Sequence, residues 1–226
     1  MKKVFLRSLL LFSVAYVILY LLTTLPGSQK VLADAYKSMA NTVVVPALPK
    51  AYLLFEQQPE IPDDPKRIRA RLDSQAKVDA QMQAAREQGL KTLDLKFPTY
   101  NIALFEFFIF PLLFFLALLI ATPVPWKRKL AASAIGLLLL LIFMFFKTYF
   151  ITLYHLQRNQ IAEYQMSEFW EGLIGKVQVG FNNITTALIV ATLIWAVTVF
   201  KKSDWKKFSD QLNQATAKNK APERSK

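Results

Sequence analysis

Two charged side chains, Glu106 and Lys147, stand within otherwise apolar stretches of the chain. An ionised group in such a setting is costly, so each marks a place for ion pairing, proton relay or substrate contact. Their stretches, 102–122 and 130–151, flank a turn at residues 126–127. Each residue lies about twenty positions from that turn, and at ~1.5 Å rise per residue both reach the same depth. They form a candidate intramembrane ion pair; independent snorkelling of both to the headgroups is the alternative. The single histidine, His155, could serve as a general base with Glu163 or Glu168, or simply hydrogen-bond at an interface. Glu60, Asp63 and Asp64 show no converging ligand set. The chain has no Cys, which removes thiolate metal sites, cysteine nucleophiles and disulfides. No HExxH, phosphate loop or dinucleotide glycine pattern is present. No catalytic residue, metal ligand or cofactor is expected, and the chain reads as non-enzymatic.

The elements that must position these residues follow from hydropathy. Of the 226 residues, 54% are hydrophobic and 19% charged, and the apolar ones gather at 8–25, 102–122, 130–151 and 184–200. A hydrocarbon core of about 30 Å needs roughly 20 apolar helical residues. The expected fold class is a mainly α membrane protein: four transmembrane helices with a small α+β extracytoplasmic region. Lys2, Lys3 and Arg7 precede the first block, and Ala33-Asp34-Ala35 has the look of a cleavage site. A retained anchor is the preferred reading of that block, a cleaved signal peptide the alternative.

The net charge is +12. Nearly all of the excess lies in Lys2, Lys3 and Arg7, in Lys127, Arg128 and Lys129, and in the tail from 201 onward. By the positive-inside rule both termini and the 123–129 loop face the cytoplasm, here of a bacterial inner membrane. The basic excess then reads as a topology signal and an attraction to anionic lipid headgroups. Nucleic acid is not an expected partner.

The division that results is 1–25 for the N-terminus and first helix, and 26–101 for the extracytoplasmic region. Residues 102–151 form a transmembrane hairpin, 152–183 an interfacial helix, 184–200 the fourth helix and 201–226 a basic tail. Within the outer region, 28–41 has helical spacing, 42–45 reads as a strand, and 93–97 alternates as a second strand. Between Asp63-Asp64-Pro65 and Gly89 lies a helix at about 65–88. Its narrow apolar face (Ile68, Leu72, Val78, Met82) is a candidate docking face for a partner; a solvated spacer helix is the alternative. Trp126, Tyr164 and Trp170 are candidate interfacial anchors. Asn183-Ile184-Thr185 matches a glycosylation triplet, but polar capping of the helix start by Asn182-Asn183 is the preferred reading, with Thr185 and Thr186 available for interhelical hydrogen bonds.

The stretch Tyr100-Asn101-Ile102, Phe110-Pro111-Leu112-Leu113-Phe114-Phe115-Leu116-Ala117-Leu118, Ala121-Thr122-Pro123, then Trp126-Lys127-Arg128-Lys129-Leu130 and Gly136-Leu137-Leu138-Leu139-Leu140 resembles the bacterial membrane proteins associated with exosortases. Exosortases are transpeptidase-like protein-sorting enzymes. The resemblance covers roughly 97–145 and implies an N-terminal anchor, a small outer region with short strands and an apolar hairpin. Exosortases themselves resemble cysteine enzymes, so a cysteine-free chain would be an accessory and no catalytic residue carries over. The expected partners are other integral membrane proteins, a sorting protease of exosortase type among them, with homo-oligomerisation left open. The alternative function is a transport or lipid-handling component that uses Glu106 and Lys147.

Overall fold

The structure, a computed structural model, describes residues 2–57, 67–89, 96–201 and 204. The chain is mostly helical, with one three-stranded sheet. Helix α1 (Lys2–Thr24) is apolar from Ser8 onward, and after a break at Leu25 α2 (Pro26–Met39) begins with proline, whose missing N–H is tolerated there. A π-helical turn (Ala40–Val44) continues α2, so the expected strand at 42–45 is helical. The Asn41 side chain explains how that turn meets the sheet. Its amide accepts from the Phe55 N–H and donates to the Phe55 carbonyl, both at 3.0 Å, standing in for a neighbouring strand.

The sheet is antiparallel in the order β1 (Ala51–Gln57), β2 (Arg67–Ser74), β3 (Thr99–Ala103). Leu53 sits opposite Leu72, Ala70 lies between Phe55 and Tyr100, and Ile68 faces Ile102. These side chains are buried in one core with Ala33, Tyr36, Ile151, Leu153 and Leu156. The alternate residues of β2, Arg67, Arg69 and Arg71, line the opposite face.

The helix expected over 65–88 is therefore corrected. Its first half is strand β2, and only Gln75–Glu87 is helix, α3. The Ser74 hydroxyl caps α3 by accepting from the Lys77 N–H, and Gly89, at φ 66°, ends it. The strand expected at 93–97 largely lies outside the described residues; Phe97 itself is in a loop.

The hairpin also starts later than expected, because Ile102 belongs to β3. That strand runs into a π-helical turn (Phe105–Ile109) and then α4 (Phe110–Ala121). Helix α5 spans Trp126–Arg158, longer than the expected 130–151, so His155 lies within it rather than beyond it. The region after α5 is also more divided than one interfacial helix. A 3-10 turn (Ala162–Tyr164) and α6 (Glu168–Asn182) lead into α7 (Ile184–Val199), with α6 and α7 bent by 77°. Asn183 caps α7 by accepting from the Thr185 N–H at 2.8 Å.

Helices α1 and α4 run antiparallel, since Phe12 meets Phe114 and Tyr20 meets Phe110. Helix α7 ends beside the end of α4, where the Trp195 indole N–H donates to Thr122 Oγ1 at 2.9 Å. The Arg128 guanidinium bonds Asp204 at the same end. The start of α1, the 123–129 loop and the beginning of the tail thus share one end of the bundle, and the sheet occupies the other.

Among the described residues two helices, at Leu6–Thr24 and Trp126–Arg158, are long and apolar enough to cross a membrane. The bent pair α6–α7 makes a third if it counts as one span, and Phe105–Ala121 is apolar but shorter.

Candidate functional site

The C-terminal end of α5 carries two polar stripes. Lys147, Ile151 and His155 recur every four residues and share one face; Thr148 and Thr152, one position on, share the next. Each threonine hydroxyl donates to the carbonyl four residues back, Thr148 to Met144 at 2.9 Å and Thr152 to Thr148 at 2.8 Å. That uses the hydroxyl proton, so both oxygens are left as acceptors. They accept from two buried phenols: Tyr36 of α2 on Thr148 at 3.0 Å, and Tyr100 of β3 on Thr152 at 2.6 Å. Burial pushes both phenol pKa values well above their usual value, which keeps them donors. The sheet and α2 are therefore bonded to α5 at two successive turns. Tyr164 Oη also accepts from the Lys50 N–H at 3.2 Å, and the Ser74 hydroxyl donates to Glu163 at 2.5 Å.

The other stripe borders an open cavity of about 190 Å³, lined also by β3, the π-helical turn and the α6–α7 junction. Lys147 is 1% exposed. Its ammonium donates to the Phe107 carbonyl at 3.3 Å and stands 3.9 Å from the centre of the Phe107 ring. Glu106 lines the same cavity but is exposed at its rim. The two attract through space but form no ion pair. The expected pairing is corrected to shared lining of one cavity, and the snorkelling alternative fails for Lys147. Glu106 stands in the π-helical turn Phe105–Ile109. Asn101 and Asn182 add amide groups to the wall.

His155 also reaches this cavity, half-buried, with its ring stacked on Tyr100 at 4.2 Å and 5° between planes. Glu163, its proposed carboxylate partner, is engaged by Ser74 instead. Among the described residues no cluster of His, Asp and Glu could hold a metal ion; Glu60, Asp63 and Asp64 lie outside them.

The expected docking face is dispersed. Ile68 and Leu72 are in the sheet core, Val78 is buried under α3, and Met82 alone is exposed. The expected anchors differ in setting. Trp126 is 69% exposed at the start of α5, Trp170 lies on α6 beside an apolar groove against α5, and Tyr164 braces the β1 end. The residues that sequence reasoning passed over are Tyr36, Tyr100, Thr148 and Thr152. The signal for the threonines was present: a Lys-Thr pair and a second Thr four residues on, in an otherwise apolar helix.

Fold and site together define a mainly helical chain with a small antiparallel sheet and two or three helices fit to cross a membrane. No protein family, curated protein or solved structure matches the chain.

Proposed function

We propose that the chain is a non-catalytic accessory subunit of a bacterial inner-membrane complex, and that it presents its sheet and α3 to another integral membrane protein. The observation that carries this reading is the double attachment of the sheet unit to α5 through Tyr36–Thr148 and Tyr100–Thr152. A unit held in this way stands at a fixed height and angle over the membrane helices, which is what a scaffold requires. The surface it offers comprises the arginine face of β2 and the exposed flank of α3 around Met82. The resemblance of residues 97–145 to exosortase-associated proteins makes a sorting protease of that type the favoured partner.

In this reading α1, the 105–121 segment, α5 and α7 all cross the membrane, with both termini in the cytoplasm. Support comes from the gathering of the basic segments at one end of the bundle. The two shorter crossings fall short of a full bilayer width and are accommodated by local thinning. A photo-crosslinking residue at Met82 in native cells tests the proposal. Crosslinks to an integral membrane protein are expected; free α3 under all growth conditions would contradict it.

A second reading, a lipid-handling component, is favoured by one observation: the polar cavity holding the buried Lys147.

A further inference from the structure

We propose that the cavity between β3, α5 and the α6–α7 junction binds a phosphoethanolamine group, with phosphate on Lys147 and the primary ammonium on Glu106. This rests on the lipid-handling reading and names its ligand. Lys147 has three N–H donors; one meets the Phe107 carbonyl and the Phe107 ring covers part of the cation. A buried ammonium needs an anion or several acceptors; Phe107 supplies one, and Lys147 lines the cavity. Glu106 supplies no direct contact. It lines the rim, where a simple anion would meet its carboxylate as a like charge. An occupant negative at one end and positive at the other satisfies both groups at once.

The positive end has a further constraint. Glu106 and the amide oxygens of Asn101 and Asn182 accept hydrogen bonds, so a primary ammonium suits them and a quaternary one does not. The size agrees, because about 190 Å³ lies below the ~300–1,000 Å³ of drug-sized pockets. A headgroup fits while acyl chains stay outside. Depth agrees as well. Lys147 follows Trp126, the first residue of α5, by 21 residues, or ~31 Å of helix. In the proposed orientation that is the outer edge of a hydrocarbon core of about 30 Å, the level of lipid phosphates.

The full chain reconstituted in nanodiscs of equimolar phosphatidylethanolamine, phosphatidylglycerol and phosphatidylcholine, then released for native mass spectrometry, tests this. Wild type should retain the ethanolamine lipid about fivefold over each of the others, the ratio expected for roughly 1 kcal/mol. Glu106→Gln, an exposed change, should erase the preference over phosphatidylglycerol, and Lys147→Gln should weaken retention of all three. A parallel arm measures thermal stability with soluble glycerophosphoethanolamine or inorganic phosphate. Stabilisation by the former without lipid retention assigns the same group to a soluble source. Preference for phosphatidylglycerol, or a preference that Glu106→Gln leaves unchanged, overturns the proposal but not the lipid-handling reading. No retained lipid and no stabilisation by either soluble compound overturns both.

Discussion

Gly136 of α5 lies against the fully buried ring of Phe115 of α4, so closely that a β-carbon there would overlap the phenyl Cζ. The α4–α5 hairpin closes to this distance because one side has no side chain. Gly136→Leu should lower stability by about 1–3 kcal/mol through overpacking. At roughly 2–4 °C per kcal/mol for a chain of this size, the shift is measurable in detergent melts. Phe115→Ala in the same chain should recover much of it. Additive losses in the double variant would contradict the close approach.

The two phenol–threonine bonds give a second expectation. Removing either donor strips an acceptor inside the core, at about 1 kcal/mol each. Tyr36→Phe and Tyr100→Phe should each lower the melting temperature by a few degrees. Because the bonds join α2 and the sheet to α5, proteolysis between α5 and these elements should become faster in the double variant. Unchanged proteolysis would mean the sheet is held otherwise.

The same phenols set an alkaline limit. Burial raises both folded pKa values above the unfolded value of about 10. The folded state therefore keeps protons that the unfolded chain releases, and stability falls as pH rises past about 10. Below that pH the two groups should contribute no slope. The double Tyr→Phe variant, measured by denaturant unfolding from pH 8 to 11, should show a shallower alkaline decline than wild type.

Orientation is open to a direct check because the chain has no Cys. In intact cells an impermeant maleimide should label Gln88→Cys, at the end of α3, and spare Lys127→Cys until the membrane is permeabilised. The reverse pattern would invert the topology.

How much could be read from the sequence depended on which forces fixed each element. Helices α1, α5 and α7 were legible because long apolar runs have one solution in a membrane. The Asn183 cap was legible because its chemistry is local. The sheet was not. In β2, Ile68, Ala70 and Leu72 alternate with three arginines, a strand pattern, yet Arg, Ala, Gln and Lys all favour helix and the flanking prolines and Gly89 suit helix ends. Pairing on both edges outweighed that propensity. Residues 42–45 erred in the other direction: β-branched residues remained helical because Asn41 already serves the β1 edge. At the site, hairpin counting brought Glu106 and Lys147 to one level, and both line one cavity. Their separation around that cavity was not legible, because side-chain packing at that level leaves no mark in the spacing.

The central claim is that this chain serves a partner in the membrane. The most direct test is mild-detergent purification of the tagged full chain from its native cells, followed by quantitative mass spectrometry, with a Met82→Arg, Arg67→Glu variant beside it. The account predicts a stoichiometric multi-pass membrane protein, a cysteine-dependent sorting enzyme by the favoured reading, that the variant loses while folding normally. Copies of this chain alone, identical in both preparations, would contradict it.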